Sequence, residues 1–276
     1  MRVNLLRTGG LVGVTAAALV IAAASPAGAA TAGPGEGSAY GASATVNLLP
    51  GVTGQLGLGT KGITVDTGKL APSNTGGPTS ATVVDVPLKG LVTAKAITSF
   101  AKHDTTSGDV NAEAEILGVK LPVLKPVTDS TPSVDVIKST CMSTANGVTG
   151  GSVITNLDLG KFGTFTIPPD KSANQVLVNV PNVVKVTANE QVKHSDGSLT
   201  VNALHVQLLG GDLAKLGSGD IILASSTCGP ATAGNGGATT PTTGTTPAPA
   251  GNQVSVVPAG APQTGDGSLA AVVVGG

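Results

Sequence analysis

Three histidines, two cysteines and a few spaced carboxylates are the residues of this 276-residue sequence that stand out as candidates for chemistry. His103, His194 and His205 are too scattered for a metal motif, and His205, on the wet face of a hairpin, reads as a solvated β residue. Neither Cys141 nor Cys228 has a histidine close in sequence to draw off its proton, so a catalytic thiolate is not indicated. The run from Asp104 to Asp109 places carboxylates around a glycine turn but lacks the alternating oxygen ligands of a calcium loop, and reads as a hairpin turn. Glu113 and Glu115 point the same way on a strand, about 7 Å apart by the strand rise, as solvated pairs on a wet face do. There is no Gly-x-Ser-x-Gly elbow, Gly150-Gly151-Ser152 is a turn, and the glycines form no phosphate loop. No catalytic residue, cofactor or metal ligand is therefore assigned, and the chain is read as a non-enzyme.

The elements that position these residues are short strands. Between Val183 and Gly229, two strand-forming runs flank Ser195-Asp196-Gly197, which suits a three-residue hairpin loop with a left-handed Gly197. That loop fixes the register: Val184 opposite Leu208, Val186 opposite Val206 and Ala188 opposite Leu204 on an apolar face, with Thr187–His205 and Asn189–Ala203 on the other. Asp220 to Cys228 supplies a third strand. Upstream, 39–48, 81–86, 91–101, 110–119, 133–141, 152–159, 163–167 and 175–180 read as strands between turn signals such as Asn146-Gly147, with no helical period of note. The alternation of Val110, Ala112, Ala114 and Ile116 marks one buried face. The expected fold is all-β, an antiparallel sandwich or flattened barrel, closed near one edge by a Cys141–Cys228 disulfide.

Composition narrows the partners. The sequence has one Tyr, three Phe and no Trp, so the core must be built from small and β-branched side chains. Both arginines, Arg2 and Arg7, lie at the extreme N-terminus; without them the 15 basic residues fall to 13 lysines against 16 acidic side chains, net −3. A chain with no arginine fork and almost no stacking platform is not suited to nucleic acid.

Residues 1–30 have a basic start, an apolar run from Leu11 to Ala24, a Ser25-Pro26 break and Ala27-Gly28-Ala29, the pattern of a signal peptide cleaved after Ala29 or Ala30. The run is too short for a span of about 20 residues, so no stable membrane span is expected in the mature chain. Export favours pairing of the two cysteines, closing a loop of about 88 residues worth at most about 4.6 kcal/mol in the chain-entropy model. A short linker, residues 31–37, leads to the β domain, residues 38–229. Residues 230–260 are almost wholly Ala, Thr, Pro, Gly and Asn, an extended mobile stalk with Thr-Pro clusters open to O-glycosylation.

Residues 261–276 contain Ala261-Pro262-Gln263-Thr264-Gly265 ahead of the apolar Leu269 to Val274. This resembles a sortase sorting signal, which implies cleavage between Thr264 and Gly265 and transfer of the Thr264 acyl group to a cell-wall amine. Ala261 stands where the signal has Leu, the apolar run is short and no Lys or Arg closes it, so either the chain continues past Gly276 or the signal is degenerate.

Ser38-Ala39-Tyr40-Gly41, Leu157-Asp158-Leu159-Gly160, Asn189-Glu190-Gln191, the run Leu199 to Val206, and Gly219 to Ala224 through Cys228-Gly229 together resemble the actinobacterial choice-of-anchor P proteins. The resemblance covers residues 38–229. It implies a secreted, surface-associated domain with no enzymatic role and carries over no catalytic residue; the attachment to cell-wall peptidoglycan is implied by the sortase-signal resemblance alone. The alternative expectation is a soluble secreted binding module for envelope glycans or a protein partner, with a groove of Asn, Thr and Lys in place of stacking aromatics.

Overall fold

A computed structural model describes residues 31–57, 61–88, 90–211 and 217–234. Residues 1–30, with the expected cleavage site at Ala29 or Ala30, most of the Thr/Pro-rich tail, and Thr264 and Gly265 lie outside the described residues.

The strands expected from sequence all form. In order they are β1 (Gly37–Leu48), β2 (Ile63–Asp66), β3 (Ser73–Asn74), β4 (Ser80–Leu88), β5 (Val92–His103), β6 (Val110–Lys120) and β7 (Ser133–Thr144). They continue with β8 (Gly147–Asp158), β9 (Thr164–Ile167), β10 (Gln175–Val180), β11 (Val184–Lys193), β12 (Leu199–Leu209) and β13 (Gly217–Cys228). Two short helices, α1 (Pro50–Gln55) and α2 (Lys125–Thr128), were not legible, because four to six residues are too few to show a helical period. Gly150-Gly151-Ser152 is not a turn: it lies inside β8, where the missing side chain of Gly150 admits Leu199 and Val201 from the facing sheet.

One sheet runs β10-β11-β12-β13-β1-β2, with β3 also on β1; the other runs β4-β5-β6-β7-β8-β9. All pairings are antiparallel, and the two sheets stack as a sandwich, with β1 facing β5 and β6, β13 facing β6 and β7, and β12 facing β7 and β8. The core between them is Val, Ala, Leu and Ile; the inward row Val110, Ala112, Ala114 and Ile116 is fully buried. With so little aromatic volume the sheets must approach closely. Gly41 shows how closely: a Cβ there would fall on the Ile97 side chain of β5.

The Cys141–Cys228 bond forms, joining β7 to β13. It lies on strands in the middle of both sheets rather than near an edge, because β13 inserts between β12 and β1.

Each sheet is creased across its strands. In the first, pairing is interrupted on one row through Asn189, Ala203, Ala224 and Gly41, with left-handed backbone at Asn189 (φ 50) and Ala224 (φ 52). In the second, the row runs through Asp85, Lys95, Gly118, Asp135 and Asn156, left-handed at Asp85 (φ 49), Gly118 (φ 60) and Asn156 (φ 54). In both, the left-handed residues fall on alternate strands. Crossing a crease shifts the side-chain alternation by one residue, so β1 buries Ala39 and Gly41, then Ala42, Ala44 and Val46. Asn189 and Ala203 are consequently buried on the inner face and not on the polar face expected for them.

Candidate functional site

The hairpin register is the expected one, Val184–Leu208, Val186–Val206, Thr187–His205 and Ala188–Leu204. Gly197 is left-handed (φ 84), and the Asp196 carboxylate accepts from the Ser198 backbone at 2.9 Å and its hydroxyl at 2.6 Å. This register puts His205 of β12 on the outer face, between β11 and β13, where it is 4% exposed and not solvated. The correction has a physical cause. His205 Nδ1 lies 2.9 Å from Glu190 Oε2 on β11, and Nε2 lies 2.8 Å from Asp220 Oδ1 on β13, so both ring nitrogens donate to carboxylates. Glu190 also accepts from Asn202 Nδ2 at 2.8 Å, and Asn202 Oδ1 accepts from Ser225 Oγ at 2.8 Å.

Burial by itself would lower the His205 pKa. The hydrogen bonds to Asp220 and Glu190 and the charges of both carboxylates outweigh it and raise the pKa to about 9. Burial likewise pushes the Glu190 carboxyl up, but the hydrogen bond and charge of His205, the Asn202 amide and the charge of Lys185 win and hold it below the usual carboxylate range. Near neutral pH the centre is an imidazolium clamped by two anions. Such a ring has no free lone pair and cannot act as a general base, and the Ser225 hydroxyl beside it spends its proton on Asn202.

What the arrangement does is mechanical. Asn202 and Glu190 lie on one side of the crease, His205 and Asp220 on the other, and Glu190 accepts from both sides. The network is a clasp across the bend. Asn189, next to Glu190, turns inward, its amide donating to the Lys171 and Ser172 carbonyls at 3.1 and 3.2 Å, while Gln191 Nε2 donates to the Gly150 carbonyl at 3.0 Å. The Asn189-Glu190-Gln191 segment thus serves both faces of the sheet. Sequence reasoning missed Glu190 and Asp220 as partners of His205. The signal was present for Asp220, an ordinary diagonal neighbour of an outward histidine, but Glu190 reaches the ring only across the crease.

The remaining candidates are held apart. His103 ends β5, its Nε2 3.0 Å from Thr232 Oγ1; His194 precedes the hairpin loop, its Nε2 3.2 Å from Thr200 Oγ1. Asp104–Asp109 is the expected hairpin turn, with Asp104 Oδ1 accepting from the Thr106 and Ser107 amides at 2.9 and 3.3 Å. Glu113 and Glu115 face outward as expected and share Lys138, at 2.6 and 3.9 Å. Neither cysteine is free, and among the described residues no three His, Cys, Asp or Glu are grouped to hold a metal. At one end of the sandwich an open cleft of about 340 Å³ is lined by Glu36, Asn74, Thr75 and His103 among others. No helix among the described residues is long and apolar enough to cross a membrane.

No protein-family model, curated protein or solved structure matches the chain.

Proposed function

We propose that this is a secreted, non-enzymatic protein of the cell envelope, a β domain like that of the choice-of-anchor P proteins its sequence resembles, displayed on a flexible Thr/Pro-rich stalk and joined to peptidoglycan through Thr264 of its sortase-signal-like end. The observation that carries the reading is the Cys141–Cys228 bond buried between the central strands of the two sheets, behind an N-terminus with the pattern of a signal peptide. Disulfides of that kind persist where the surroundings are oxidising. The clamped state of His205 supports a structural use of the residue most suited to acid–base work. The cleft lined by Asn74 and Thr75 favours the second reading, a soluble secreted module that binds envelope glycans or a protein through hydrogen bonds.

Mass spectrometry of the protein from its native host, comparing wall-released and medium fractions without reductant, separates the two. A species that begins at Ala30 or Thr31, ends at Thr264 with a peptidoglycan fragment and is two hydrogens light establishes wall display. A free chain running to Gly276 in the medium overturns anchoring and supports the soluble module. A chain retaining residues 1–30 in the cytoplasm ends both readings.

A further inference from the structure

The stalk does not leave the domain freely. Gly229, the last residue of the expected β domain, and residues 230–234, which their composition marks as the start of the mobile tail, are fastened to the body as a strap. The Gly229 amide donates to the Glu36 carbonyl at 2.8 Å, the Pro230 carbonyl accepts from the Gly35 amide at 2.8 Å, and the Thr232 amide donates to the Gly108 carbonyl at 3.0 Å. Thr232 Oγ1 completes the set at 3.0 Å from His103 Nε2. Backbone packs on backbone throughout: a Cβ on Gly108 would strike the Thr232 carbonyl, one on Gly229 the Gly33 carbonyl, and one on Gly234 the Thr106 carbonyl. The strap therefore ties the end of β13 to the segment before β1 and to the β5–β6 hairpin of the opposite sheet. Its root is the last residue of β13, Cys228, bonded covalently to β7.

We propose that residues 229–234 are a mechanical mooring, so that a load arriving through the tail is met first by this strap and then by the Cys141–Cys228 bond, which divides it between central strands of both sheets. The role of the load rests on the stalk reading above; the order in which the parts yield does not. Without the bond, a pull on Cys228 would be resisted only by the ladder of β13 with β12 and β1. With it, β7 is loaded at the same point, and no pull from the tail begins at an edge strand, where a sheet peels most easily.

The test is single-molecule stretching of the oxidised mature chain, with one handle at Gly276 and the other inserted after Gly57, at the opposite end of β1 from the strap. Releasing six strap residues at about 3.3–3.6 Å each gives a separate first step of about 20 Å before the sandwich opens. Thr232→Ala and His103→Ala, which remove the same hydrogen bond from its two sides, should each bring that step to lower force while leaving the later sandwich rupture in place. A wild-type trace without the early step, or a step whose force in both variants equals that of the wild type, overturns the mooring. Both outcomes are independent of whether Thr264 is joined to the wall, so failure of the mooring and failure of the anchoring reading are separately visible.

Discussion

Replacing His205 by glutamine removes the cation of the clasp and leaves Glu190 and Asp220 facing one another on half-buried ground. Their side chains are 23% and 15% exposed, which keeps solvent screening modest. Raising the imidazole pKa from 6.5 to about 9 corresponds to about 3 kcal/mol, at about 1.4 kcal/mol per unit. Removing one partner of a buried ion pair independently predicts roughly 3–5 kcal/mol. The sign follows from the direction of each shift. Because the folded pKa of His205 is raised, its contribution is complete below pH 6.5 and disappears as pH rises through about 9. Glu190, whose folded pKa is lowered, contributes above pH 4.5, and its share is lost as pH falls below that. The clasp should therefore be strongest between about pH 4.5 and 6.5. With no Trp and one Tyr, the assay is urea unfolding followed by far-ultraviolet circular dichroism, for wild type and His205→Gln between pH 5 and 9.5. The gap in unfolding free energy should be about 3 kcal/mol at pH 6 and close steadily toward pH 9. His103 and His194 are present in both proteins and cancel in the difference. A gap that does not change with pH between 6 and 9 would refute the ionic clasp, and a His205 resonance titrating near 6.5 by NMR would do so without any variant.

Two further perturbations test the frame around the clasp. Opening the cross-sheet bond, in Cys141→Ser with Cys228→Ser, should cost about 2–4 kcal/mol, below the chain-entropy ceiling of about 4.6; matched urea midpoints of the variant and the oxidised protein read it, and a loss under 1 kcal/mol would mean that the bond closes little of the unfolded chain's freedom. Ala224→Gly should be neutral to stabilising by about 0.5 kcal/mol, since relief of a left-handed alanine, roughly 1–2 kcal/mol, offsets the extra entropy of glycine, roughly 0.5–1 kcal/mol; a drop in melting temperature of several degrees would show that the Ala224 methyl matters more to packing than its backbone matters to strain.

The sequence by itself determined the strands other than the short β2 and β3, the hairpin register and the cysteine pairing. Each depends on short-range chemistry: apolar alternation that favours one face, an Asp-Gly loop that admits few conformations, and two thiols in a chain patterned for export. Val184, Val186 and Ala188 met their partners because the loop at Gly197 leaves a single apolar pairing. Tertiary structure alone decided the creases. Asn189, Ala224, Asp85 and Asn156 adopt left-handed backbone inside strands; Asn and Asp tolerate that conformation better than most residues, but the tolerance marks turns as readily as strand interiors and so does not locate a crease. The error at Asn189 and Ala203 and the solvated reading of His205 share that origin, since the shift in alternation brings Glu190 to the outer face, on the side of the imidazole opposite Asp220. The central position of the disulfide was equally beyond the sequence, because β13 inserts between β12 and β1, and where a bond between residues 87 apart falls within the sheets is fixed by strand order rather than by anything near either cysteine.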